Sequence, residues 1–188
     1  MKILYYILAI VLFLAFSFTV FELLLHTFHS SFNQDIPNPK AHTLIWIYLL
    51  KQKYITFIDL DIFSIHEKRH LLDVKRLFEK IYTIWLIFTI SSVVITIFIY
   101  FKGWIGEVFR YFLYIGVAIN SIFIISSIFF LDSFKFLHKI LFPYNSWIFP
   151  PDSILIEWFP ISYFMEFFIL FIVLNILGLF LLKRFSNI

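Results

Sequence analysis

The sequence predicts an all-α, polytopic membrane protein with four transmembrane helices and two helical, interfacial excursions on the extracytoplasmic side. Three observations predict it. The 188-residue chain is 62% hydrophobic, with 28 Phe against 4 Gly, whereas soluble domains run at roughly 45–50% apolar. Four apolar runs approach or exceed the about 20 residues needed to cross a bilayer. The charged residues gather between those runs or at their ends, as interfacial anchors do.

Residues 3–25 (ILYYILAIVLFLAFSFTVFELLL) form the first span. Lys2 lends a short basic start, but the run is too long for a signal h-region and no A-x-A-like site follows, so the span is expected to be retained. Glu22, near its far end, is expected to face other helices or the headgroups, because a carboxylate in lipid is expensive. Residues 26–80 form the first excursion. His26 and His29 close the span, Pro37 and Pro39 mark a break, Thr43 to Leu50 reads as a short aromatic helix or interfacial segment, and Lys51 to Phe63 as loop or extended chain. The second span is 81–101. Lys102 to Arg110 reads as a tight turn with Gly103 and Gly106 at its bends, before a third span at 111–131 whose strongly polar residue is Asn120.

The second excursion, 132–163, is rich in Trp, Phe and Pro. Asp132 or Ser133 is expected to cap a short amphipathic helix carrying Phe134, Leu137, His138 and Leu141. Pro143, Pro150, Pro151 and Pro160 then cut the chain into pieces too short to span, and Asp152 is placed to cap the next helix. The fourth span, 164–182, is closed by Lys183 and Arg184. Four spans put both excursions on one side and both termini on the other, within a single membrane domain. The excursions hold ten Lys and Arg against five on the opposite face. The positive-inside rule is read from short loops and span ends, however, and Lys2, Lys102, Arg110, Lys183 and Arg184 then mark the short-loop face as cytoplasmic.

The most informative stretch is Phe63 to Lys80, FSIHEKRHLLDVKRLFEK. Ser64 and Glu67 have capping-box spacing, which starts a helix at about Ile65. At about 100° per residue, His70, Leu71, Val74, Leu77, Phe78 and Ile81 share one face with Glu67, and the basic residues fill the other. A titratable imidazole thus occupies the middle of an apolar face, about three turns before a span.

That placement nominates chemistry. His66, His70 and His138 fall on the same side of the predicted topology, and a pair from separate segments suits general base and general acid work near neutral pH. The bland reading of each is a hydrogen-bonded interfacial histidine. His66-Glu67-Lys68-Arg69-His70 also matches H-E-x-x-H, in which two histidines one turn apart bind zinc and the Glu is general base. A third ligand would have to come from His138 or Asp152. The chain has no cysteine, which removes disulfides, thiol nucleophiles and thiolate metal sites. No G-x-S-x-G occurs, and the serines within spans suit helix packing. A net charge of +3 with span-flanking cations is no nucleic-acid footprint. Trp147 and Trp158 read as interfacial anchors, and Asp73 as a carboxylate able to orient His70 or as a surface charge beside Arg76.

Two segments together carry a resemblance. Glu67, His70, Asp73 and Val74 form E-x-x-H-x-x-D-V before the second span. His138-Lys-Ile-Leu-Phe142 is followed by Trp147, Pro151-Asp152, Leu155-Ile156 and Pro160. This pattern resembles the bacterial lipoprotein intramolecular transacylases. Span order and loop length agree over most of the chain, but it departs at Leu137, where the family pattern has an aromatic, and 26–60 matches weakly. The resemblance implies an acyltransferase of the bacterial cytoplasmic membrane whose site faces outward. It would move the sn-2 acyl chain of a diacylglyceryl lipoprotein to the α-amine of the N-terminal cysteine, without cofactor or metal. His70 and His138 are then the catalytic candidates, and Glu67, Asp73, Trp147 and Asp152 the residues around the substrate. Besides that lipoprotein and membrane lipid, no nucleic-acid partner is implied. A zinc-dependent membrane peptidase using HEKRH and a non-catalytic membrane scaffold are the alternatives from other classes.

Overall fold

Long apolar stretches with few Gly and Pro leave the α-helix as the structure that satisfies every backbone N–H and C=O without water. The computed structural model describes residues 1–32, 35–36, 38–50, 62–142 and 145–185. Among them the chain forms seven helices and no strand: α1 Lys2–Thr27, α2 Pro39–Leu49, α3 Ile65–Phe101, α4 Ile105–Ile128, α5 Phe130–Leu141, α6 Ile154–Trp158 and α7 Ile161–Phe185. Four stretches are long and apolar enough to cross a membrane, namely α1, α3, α4 and the stretch ending in α7. The all-helical, four-span class expected from composition is the one observed.

Helix ends depart from the sequence reading for local reasons. Pro39 opens α2 rather than breaking the chain: it takes the first helical position, where its missing N–H costs nothing, and Asn38 Oδ1 accepts from Ala41 N at 3.1 Å. The turn after α3 is tighter than Lys102 to Arg110. Gly103, at φ 68°, makes the bend alone, and Gly106 lies inside α4. Asp132 and Ser133 are within α5, whose N-cap position is Phe129. Ser153, not Asp152, holds the N-cap position of α6, and its hydroxyl is engaged elsewhere. The expectations for Pro37, for residues 51–61 and for Pro143 lie outside the described residues.

The chain divides into two compact units. The first comprises Met1–Leu25, Tyr82–Ile128 and Phe168–Ile188. Its core is Tyr5, Ala9, Phe13, Ile99, Val108, Phe112 and Leu179. Two glycines permit the approach of its helices. A Cβ on Gly116 would stand 2.7 Å from Leu179 Cδ1, and one on Gly178 would stand 2.5 Å from the Phe16 ring, the small-residue contact that membrane helices use in place of a hydrophobic driving force. Its outer faces are apolar, with Ile87, Ile90, Val94, Ile122, Ile125 and Phe180 exposed.

The second unit comprises His26–Ile81 and Phe129–Phe167. It is tied by polar bonds between distant segments. Ser31 Oγ donates to Glu166 Oε1 at 2.7 Å, Tyr163 OH to the Phe28 carbonyl at 3.0 Å, and Trp46 Nε1 to the His29 carbonyl at 3.1 Å. Around these bonds His42, Trp46, Trp158, Phe159 and Tyr163 pack ring against ring.

Candidate active site

The site grows from the first turns of α3. The predicted capping box forms in full: Ser64 N donates to Glu67 Oε2 at 2.8 Å, and Glu67 N donates back to Ser64 Oγ at 3.3 Å. Glu67 does more than cap. It is buried, and Oε2 also accepts from Ser64 Oγ, while Oε1 accepts from Ser153 Oγ at 2.6 Å and Leu155 N at 3.2 Å. Four donors fill the four acceptor sites of one carboxylate. Burial pushes its pKa up, but the hydrogen bonds from Ser153, Ser64 and Leu155 outweigh burial and hold it below the ordinary value. The carboxylate therefore binds α6 to α3.

One turn on, His70 stands among rings. Its centroid is 4.8 Å from Phe142 and 5.3 Å from Phe149, both edge-on. The His138 ring of α5 lies 6.5 Å from it, the two planes 29° apart. His138 is packed against Phe134 at 3.9 Å, Phe142 at 5.3 Å and Trp147 at 5.3 Å. Two imidazoles 68 positions apart in the chain thus share one aromatic-lined cluster.

Their protonation differs. Burial, then the charge of His138, lowers the His70 pKa from 6.5 to about 4, against a smaller upward pull from Asp73. Burial also lowers His138, opposed by its hydrogen bond to the Phe134 carbonyl. A carbonyl only accepts, so His138 Nδ1 carries the proton in that 2.9 Å bond. Its Nε2 is left as the titrating nitrogen. His70 Nδ1 is buried with no hydrogen-bond partner among the described residues, and so is Trp147 Nε1.

The loop bearing Trp147 is pinned to α3 on both sides of His70. Ser146 Oγ donates to Asp73 Oδ2 at 3.2 Å, and the exposed His66 donates through Nε2 to the Ile148 carbonyl at 3.2 Å. Asp73 thus meets Ser146 in its hydrogen bond and reaches His70 through charge. Asp152 is exposed, and no hydrogen bond joins it to either histidine. The HEKRH spacing does not yield a peptidase arrangement here. The Glu67 acceptor sites are full, His66 Nε2 is bonded to a carbonyl, and among the described residues no group of three or more His, Asp or Glu is disposed to hold a metal.

Ser146 and Ser153 were invisible to sequence reasoning, since a serine beside prolines reads as loop. The aromatic walls, Phe134, Phe142 and Phe149, were equally unmarked in a chain with 28 Phe. His42, buried and with its pKa lowered by burial and by His29, belongs to the Trp46 cluster, away from the histidine pair's ring contacts.

A family model described as lipoprotein intramolecular transacylase Lit matches residues 39–164. Among solved structures, the membrane integral lipoprotein intramolecular transacylase Lit from Bacillus cereus has the same fold. The two align with a TM-score of 0.74 over 98% of this chain and 96% of that one, at 18% identity. No curated protein matches the sequence. Because the family model covers well over half of the chain, including the capped start of α3 and all of α5 and α6, this integral membrane protein belongs to the lipoprotein intramolecular transacylase family of enzymes.

Proposed function

We propose that the protein moves the sn-2 acyl chain of a diacylglyceryl lipoprotein to the α-amine of its N-terminal cysteine, with His70 as general base and His138 as general acid. The observation that carries this reading is the pairing of those two imidazoles, ring centroids 6.5 Å apart among aromatic walls. The chemistry needs little more. Burial disfavours the substrate ammonium as it disfavours an imidazolium, so His70, neutral in the empty site, takes a proton from that ammonium. The amine attacks the ester carbonyl, an N–C bond forms, and the C–O bond to glycerol breaks. His138, whose Nδ1–H is anchored on Phe134, takes the second ammonium proton on Nε2 and delivers it to the departing glycerol oxygen, leaving an N-acyl, lyso-form lipoprotein. The proton left on His70 goes to solvent, so charge and atoms balance and both rings end neutral. Amine and ester belong to one molecule, so positioning supplies much of the rate, with no cofactor or metal in the scheme.

The spans in this reading lie at about 3–25, 81–101, 111–131 and 164–182, in the cytoplasmic membrane of a bacterium. The excursions face outward, where the substrate's free amine would be found. Glu67 and Asp73 serve the site by holding α6 and the Trp147 loop, and Asp152 is left exposed toward substrate. Purified protein in detergent, with a synthetic diacylglyceryl lipopeptide, tests the reading with and without EDTA. Mass is conserved in an intramolecular transfer, so fragmentation must locate the acyl chain. Acyl on nitrogen in both arms is the expected outcome. Acyl remaining on oxygen, or peptide cleavage abolished by EDTA, would overturn it.

A further inference from the structure

Trp147 is an interfacial anchor by composition, and such a residue keeps its indole N–H in water or headgroups. Here that atom is buried and has no acceptor among the described residues. An indole nitrogen can only donate, and leaving a buried donor unmade costs about 1–3 kcal/mol. The fold holds this donor firmly. Asn145 takes a left-handed conformation at φ 54°, and Ile148 N closes the turn onto Asn145 O at 3.1 Å. Asp73 grips Ser146 on one side and His66 grips Ile148 on the other, so both neighbours of Trp147 are fastened to the helix that carries His70. The indole lies 5.3 Å, centroid to centroid, from His138. A preorganised donor with no acceptor among the described residues, beside the proposed acid, suits an oxygen that gains charge during reaction.

We propose that the Trp147 indole N–H stabilises the oxyanion of the tetrahedral intermediate in acyl transfer. This rests on the reading above and adds a catalytic residue to it. As the amine nitrogen bonds to the ester carbon, the carbonyl π electrons move to oxygen, and that O⁻ accepts from Trp147 Nε1. Collapse restores the carbonyl and expels the glycerol oxygen, which takes its proton from His138. Asp73 and His66 are positioning residues for the same donor.

The test replaces Trp147 with 3-benzothienylalanine, which keeps the bicyclic shape and puts sulfur where the N–H was, and separately with Phe. With the diacylglyceryl lipopeptide, kcat is expected to fall about 100- to 1,000-fold, as for loss of one oxyanion donor, with KM changed less than about 3-fold. Affinity for a non-hydrolysable phosphonate analogue of the intermediate is expected to fall by a similar factor. A benzothienylalanine protein with kcat within about 3-fold of wild type, or with KM raised and kcat kept, would show that Trp147 only lines the pocket. Wild-type protein that moves no acyl chain would overturn the transacylase reading itself, and this proposal with it.

Discussion

The two units use polar side chains differently. In the first, Thr19, Ser92, Thr96, Asn120, Ser121, Ser127 and Asn175 each donate to a carbonyl three or four residues back in their own helix, and Trp85 Nε1 crosses between helices to Thr19 Oγ1 at 3.1 Å. In the second, hydrogen bonds cross the chain. Ser153 reaches Glu67 over 86 positions, His66 reaches Ile148 over 82, and Ser146 reaches Asp73 over 73. A local bond hides a hydroxyl from lipid and specifies nothing about neighbours. A long-range bond fixes one segment against another to within a few tenths of an ångström, which acid–base chemistry requires. The first unit therefore needs apolar surface and close-fitting shape, and the second needs particular partners.

Substitutions sharpen that contrast. The largest effect is expected at the histidines: His70→Ala or His138→Ala should lower transfer by about 100- to 10,000-fold while the protein still inserts and folds, as read by acyl migration. Either variant retaining full activity would remove the pair from the mechanism. Next comes Glu67→Ala, which strands donors from Ser64, Ser153 and Leu155 at once. It should cost about 3 kcal/mol, seen as a lower thermal midpoint in detergent, with activity lost along with the seating of α6.

Acid should act on the second unit selectively. The folded protein holds His70 near 4 against an ordinary 6.5, so between those values the unfolded chain binds a proton the folded one refuses. Stability is then fully present above about 6.5 and lost as pH falls toward 4. Thermal midpoints across that window should decline, and less steeply in His70→Leu. An equal slope in the two proteins would contradict the burial of His70.

The first unit should respond to shape. Gly178→Ala drives a methyl to 2.5 Å from the Phe16 ring, and overpacking of this kind costs about 1–3 kcal/mol in thermal stability. Ser121→Ala, which removes only an exposed bond to its own helix, should change stability by less than about 0.5 kcal/mol. A large loss there would mean that hydroxyl has a partner the local bond conceals.

Much of this was legible in the residues. Apolar length alone determined four long helices, because lipid leaves the backbone no other way to satisfy itself. The capping box placed the start of α3 at Ile65, since Ser64 and Glu67 interact across three residues and need nothing distant. The helical period put His70 and Glu67 on the apolar face by the same local geometry. Ser153, Ser146 and the Trp147 N–H, unpaired among the described residues, were not legible, because their roles depend on which segments meet across more than seventy positions. That is also why Glu67 reads as a substrate or metal-site residue in the sequence and acts as a clamp in the fold. Local spacing shows which residue types lie together on a helix. Only the tertiary structure decides whether a carboxylate is already saturated and whether an indole is left with a bond to give.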